Sequence, residues 1–197
     1  MEQQKMNGEQ LLHLSYQTCQ WWNAVFVQAR RFLDASEASH GGTPWDEENE
    51  GSMLVVERMF FITAIYHAIE DLRKLEIEMQ RRNDNSLQPV LESIQAVASF
   101  EDIKNMRDMN EHGLDYLVGK GQKPDQYQLT VHREHYKLTT TPAWTFINGN
   151  EGIMLFGNVE IIKLLSTMKE HLPLVREKTK EIFNKEPLGQ SGKEEFQ

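Results

Sequence analysis

The residues that could do chemistry gather in one stretch of this 197-residue chain, Phe100 to Gly121, reading F-E-D-I-K-N-M-R-D-M-N-E-H-G-L-D-Y-L-V-G-K-G. The useful groups are Arg107, Asp108, Asn110, Glu111, His112, Tyr116 and Lys120. An arginine presents a planar fork of donors that suits phosphate or carboxylate, and a histidine can give or take a proton near neutrality. Asp108 stands four residues before His112, within side-chain reach on a helix, where a carboxylate would orient the imidazole and favour its charged form. Tyr116 follows four residues on, so Asp108, His112 and Tyr116 can form one polar ladder. The same ladder can equally be a solvated, helix-steadying feature with no chemistry. Arg107 and His112 are the candidate catalytic residues; Asp108, Asn110, Tyr116 and Lys120 are the candidate binding residues.

A wheel of about 100° per residue, with Phe100 at zero, sorts this helix into faces. Phe100, Ile103, Met106, Leu114, Leu117 and Val118 share an apolar arc, and Arg107 and Asn110 fall inside it. Asn105, Met109, His112 and Tyr116 make a second stripe. An arginine on a core face needs a carboxylate, a set of carbonyls or a bound anion. That predicts either an internal pair with Glu57 or Glu70, or an anion site. Arg107 and His112 point about 140° apart on an uninterrupted helix. Converging on one phosphate would need a second subunit, an irregularity at Gly113, or long side-chain reach.

Arg107-Asp-Met-Asn-Glu-His112 resembles the R-x4–6-H signature of the HEPN superfamily, late in a row of helices where that signature is expected. The resemblance covers residues 100–121, with a compatible order of helices over 9–120. It implies an up-and-down bundle of four or five helices, commonly a homodimer whose motifs face each other across a cleft. In active members it implies metal-independent RNA cleavage, without a cofactor. The histidine works on the 2′-hydroxyl or leaving oxygen and the arginine steadies the phosphate. Those roles fall on Arg107 and His112. The residue after the arginine is often Asn in the family; here it is Asp108, whose charge weakens phosphate binding. Many HEPN-like proteins are non-catalytic partners or binding modules.

The elements that must position this stretch read as mainly α. Apolar residues recur at helical spacing from Glu9 to Ala38, including Leu11, Leu14, Trp22, Val25, Ala29 and Phe32. The Trp21-Trp22 pair puts one ring in the core and one at its edge. Ser39 to Gly51 reads as a loop, and Ser52 as the N-cap of a central helix over 53–82 with Met59, Phe60, Ile62, Tyr66, Ile69 and Leu72 inward. Asn83-Asp84-Asn85 ends it. A shorter helix carries Pro89 in its first turn and runs to about Ala98, and Ser99 caps the next. That helix ends at Gly119-Lys120-Gly121. Residues 125–157 read as a small antiparallel β insertion, with a hairpin loop at 148–152 between 144–147 and 153–156. The last helix, 158–184, has Asn158 as N-cap and a seam of Ile161, Leu165, Met168, Leu172, Val175, Thr179 and Ile182, suited to a helix of the same chain or of a partner. Pro173 should kink it or split it. The expected architecture is one domain over 9–185, a bundle of about five helices, between disordered tails at 1–8 and 186–197.

Composition narrows the function. The net charge of −9 and the lone Arg81-Arg82 pair argue against a broad basic face for nucleic acid. Cys19 reads as a small core residue. No signal-like or membrane-spanning run is present, which points to the cytoplasm. Glu37-x-x-His40 lacks the second copy that a di-iron bundle needs, and His132 and His135 do not share a strand face, so no metal site is expected. Two functions follow: an RNA-binding or RNA-cleaving HEPN-like protein, or a non-catalytic dimeric module that pairs with a protein, as in a toxin–antitoxin or defence pair. A third, a small-ligand bundle using Trp21, Trp22 and Tyr66, rests on less.

Overall fold

The computed structural model describes residues 5–38, 51–112, 120, 129–133, 136–140, 145–147, 153–156 and 159–185, with the backbone alone at 36–38, 51–55 and from 129 to 156. The protein is mainly helical. The described helices are α1 (Gly8–Ala38), α2 (Gly51–Gln80), α3 (Gln88–Gln95), α4 (Phe100–Glu111) and α5 (Ile161–Lys185). Between α4 and α5 the backbone forms short strands, β1 (Leu129–Arg133), β2 (Tyr136–Thr140), β3 (Thr145–Ile147), β4 (Ile153–Phe156) and β5 (Val159–Glu160). β1 pairs antiparallel with β2, and β4 lies between β3 and β5, with Phe146 opposite Met154 and Phe156 opposite Val159.

α1 starts where its sequence can cap it. Gln10 N–H donates to Asn7 Oδ1 at 2.8 Å and Asn7 N–H donates to Gln10 Oε1 at 3.0 Å, a reciprocal box that satisfies two orphan donors. Two buried hydroxyls, Ser15 and Thr18, donate to the Leu12 and Leu14 carbonyls at 2.8 and 2.7 Å, so they enter the core without an unmet donor. α2 begins at Gly51, so Ser52 lies in its first turn and is not the N-cap. The apolar run 59–62 cannot all face one way. Phe61 and Ile62 are buried with Ile65, Ile69 and Leu72, while Met59 and Phe60, expected inward, are 43% and 57% exposed. α2 ends as its asparagines predict: Asn83 has a φ of 62°, its N–H reaches Gln80 O at 2.9 Å, and Asp84 N–H reaches Met79 O at 2.9 Å. α3 carries Pro89 in its first turn and stops at Gln95, three residues short of the expected end, because the Val97 and Ala98 N–H groups both turn onto the Ile94 carbonyl. Ser99 Oγ accepts from Asp102 N–H at 3.1 Å and caps α4.

Contacts fix the directions. Phe32 stacks on Phe61 with centroids 5.7 Å apart, Trp21 on His67 at 4.7 Å, and Met6 N–H donates to Glu78 Oε2 at 3.1 Å, so α2 runs antiparallel to α1. Thr179 Oγ1 donates to Ser15 O at 3.2 Å and Trp22 Nε1 to Met168 O at 3.0 Å, so α5 runs antiparallel to α1 as well. The core draws on all five described helices, around Trp22, Phe32, Phe61, Ile65, Leu72, Met106 and Met168. Fully burying each such side chain contributes about 1.5–3 kcal/mol.

α5 departs from expectation at its start and in one residue of its seam. Val159 and Glu160 are paired as a strand, so the helix begins at Ile161 and Asn158 lies outside the described residues. Pro173 does not split the helix; it sits on an exposed face, where water can take the carbonyl it leaves without a donor. The seam packs on α1 within the chain, with Leu164 buried in place of Leu165. It is therefore occupied within the chain at Met168, Val175 and Ile182. Among the described residues no helix is long and apolar enough to cross a membrane.

Candidate functional site around Arg107

α4 runs antiparallel to α2, fixed at two points. The Arg73 guanidinium lies 4.2 Å from the Phe100 ring centroid, and the Arg107 guanidinium lies 4.5 Å from that of Tyr66. α4 also touches β5. Being covered on two sides, it buries a wider arc than the wheel assigns. Ile103 and Met106 are buried as expected, but so are Asn105 and Met109, which the wheel places on the outward stripe, and Asp108 beside them.

Arg107 is not sealed in the core. Its side chain is 25% exposed, with Nη2 2.9 Å from Asp108 Oδ1 and Nη1 3.1 Å from Glu111 Oε2. Both partners come from its own helix, which corrects the expected pair with Glu57 or Glu70. Glu70 instead holds Arg73 at 3.2 Å and Lys74 at 4.0 Å. The chemical consequence is direct. One guanidinium facing two carboxylates carries a net negative charge locally, which repels an incoming phosphate. Arg107 Nε and both polar atoms of the Asn110 amide are buried with no hydrogen-bond partner among the described residues. Asn110 stands one turn beyond Arg107 on the same side of α4, so these unmet atoms are neighbours.

His112 closes α4. Its N–H donates to Asp108 O at 2.8 Å, its φ of −118° leaves the helical region, and its side chain is exposed. The expected Asp108–His112 rung is absent among the described residues, because the Asp108 carboxylate is held by Arg107. Tyr116 and Gly113 lie outside the described residues, and Lys120 is exposed. Arg107 and His112 thus share one helix end without being brought together, while Arg107, Asp108 and Glu111 do converge.

The fold adds partners that spacing alone could not place. Trp21 stacks on His67, and His67 meets Tyr66 edge-on at 5.3 Å. With Arg107 over Tyr66, the row Trp21, His67, Tyr66, Arg107 ties α1, α2 and α4 together. Trp22 is wholly buried and spends its N–H on Met168, so it is structural. The adjacent Tyr66-His67 was the available signal; its partners stand about forty residues away on either side. Among the described residues no group of three or more His, Cys, Asp or Glu side chains is placed to hold a metal ion. His40 and His135 lie outside them.

Comparison with protein-family models, with curated proteins and with solved structures returns no match for the chain.

Proposed function

We propose that this protein is a non-catalytic helical module that acts by binding protein, as a homodimer, with Arg107 serving as a structural cation. The observation that carries this reading is the double carboxylate on Arg107, from Asp108 at 2.9 Å and Glu111 at 3.1 Å, over the ring of Tyr66. A guanidinium so neutralised joins α4 to α2 and is poorly suited to clamp RNA. We read the helices as an up-and-down bundle of about five, and the strands between α4 and α5 as a β-hairpin insertion. Val56, Met59 and Phe60 support the binding role. They recur at i, i+3 and i+4 on α2 and are each at least 41% exposed, an apolar stripe of the kind one helix offers another. An antitoxin-like partner and a second copy both fit that stripe, and the homodimer is the arrangement put to the test.

Sedimentation velocity tests it. The wild-type protein is expected to run as a dimer and Phe60→Asp as a monomer with unchanged circular dichroism. A monomeric wild type, or a variant that still dimerises, removes the homodimer.

The ribonuclease reading keeps one observation in its favour. Arg107 and His112 both reach the surface at the same helix end. Incubating RNA with the protein in chelator decides between the two readings. No cleavage is expected from wild type or from His112→Ala. Cleavage by wild type that is lost in His112→Ala would restore the catalytic reading.

A further inference from the structure

The outward face of α2 carries a seam of its own, apart from the face that builds the core. Phe60, Thr63, His67, Glu70, Lys74 and Ile77 recur at intervals of three and four, and none of the six is buried. That is the spacing with which one helix packs along another. α1 and α4 flank α2, fixed by Trp21 on His67 and by Arg107 on Tyr66, and leave this strip reachable between them. Its ends are apolar, with Phe60 57% and Ile77 41% exposed, and its middle is polar.

The middle of the strip keeps bonding capacity. The His67 ring is held by Trp21 and Tyr66, at centroid distances of 4.7 and 5.3 Å, and makes no hydrogen bond or ion pair among the described residues. Glu70 Oε2 accepts from Arg73 at 3.2 Å, while Oε1 has only Lys74 at 4.0 Å, beyond hydrogen-bond range. A donor and an acceptor thus stand one turn apart on one face. A two-fold axis crossing α2 between them would turn each toward the other's copy.

We propose that a second copy of this chain occupies the strip, with α2 antiparallel to its counterpart and the two-fold axis passing between Ala68 and Ile69. This rests on the homodimer proposed above and gives it a register. Phe60 then faces the partner's Ile77, His67 faces the partner's Glu70 and Thr63 faces the partner's Lys74, and symmetry repeats each pair. Moving one heptad either way loses the match. One shift sets Phe60 against the partner's Glu70 and presses a carboxylate on an apolar ring. The other sets His67 against the partner's Ile77 and carries Phe60 past the end of α2 at Gln80. Apolar at both ends, with donor against acceptor in the middle, the strip complements itself, which favours a second copy over an unrelated helix.

Spin-label distances and sedimentation test the register together. One label at exposed Gln80, through Gln80→Cys on a Cys19→Ser background, reports the spacing of the two copies of α2. At a rise of about 1.5 Å per residue the labels stand about 35 Å apart in the proposed register, against about 45 or about 24 Å one heptad either way. Ile77→Asp, with circular dichroism unchanged, should weaken dimerisation about tenfold or more, because the partner's Phe60 loses its contact. A dimer whose labels stand at either shifted distance overturns the register and leaves the homodimer in place. So does an Ile77→Asp variant that dimerises as tightly as wild type. A monomeric wild type removes both.

Discussion

Arg107 and Lys178 each hold two carboxylates, and they differ in what they join. Arg107 takes Asp108 and Glu111 from its own helix, at 2.9 and 3.1 Å, with a quarter of its side chain in water. Lys178 takes Glu181 from its own helix and Asp84 from 94 positions away, with only 8% of its side chain exposed. The first cluster stays intact on α4 alone and reaches α2 only through the Tyr66 ring. The second exists only when the turn after α2 is docked on α5. A local ion pair in solvent adds little stability, whereas a buried one costs dearly if half of it is removed. Lys178 is thus a clasp between distant segments, whereas Arg107 takes both its carboxylates from one helix.

The sharpest way to break this contrast is Lys178→Ala. It strands Asp84 and should lower the unfolding free energy by about 2–3 kcal/mol in urea denaturation. A loss below about 0.5 kcal/mol, the range of ordinary surface changes, would dissolve the distinction.

Acid should find the same clasp. Burial raises the Asp84 carboxyl, but hydrogen bonding at Ser86 and the Lys178 ammonium outweigh it and hold the group down at about 2. Its folded value lies below its unfolded one, so its contribution is present above about pH 4 and lost as pH falls towards 2. Urea midpoints over that window should show a loss of about 1–2 kcal/mol that Asp84→Asn abolishes. Lys178 is pushed down by burial and raised further by its carboxylates, to a net upward shift, so its contribution persists below the ordinary lysine range and fades above it.

Arg107→Gln should cost about 1 kcal/mol or less, and a double-mutant cycle with Tyr66→Leu should assign about 0.5–1 kcal/mol to the guanidinium on the ring. The smallest effect belongs to His112→Ala. With an exposed side chain at a helix end it should change stability by no more than about 0.5 kcal/mol.

Two local stops were legible in the sequence, and pairings between distant segments were not. The caps at Ser99 and the stop at Asn83 follow from short-range backbone chemistry, and both stand where the residues put them. The mainly helical class follows from apolar periodicity. The inward face of α4 was misjudged because a wheel assumes one covered side, and α4 is covered by both α2 and β5. Asn105, Asp108 and Met109 are buried between these neighbours or against one of them. The Arg107 partners were misassigned for the opposite reason: a cross-helix carboxylate was sought, and Asp108 and Glu111 were nearer. A cavity lined by Lys5, Arg81 and Lys185 joins three remote segments. No local pattern announces it.

The tie between Trp22 and Met168 has a consequence for the order in which the molecule can be made. α1 and α2 are neighbours in the chain and can pair early. The other flank of α1 closes only against residues 146 to 164 positions later. At roughly 5–20 residues per second, synthesis leaves that flank open for on the order of ten seconds. During that interval an apolar wall containing Trp22 faces the solvent. The nascent α1–α2 pair is then the species most exposed to aggregation, and the arrival of α5 ends the hazard.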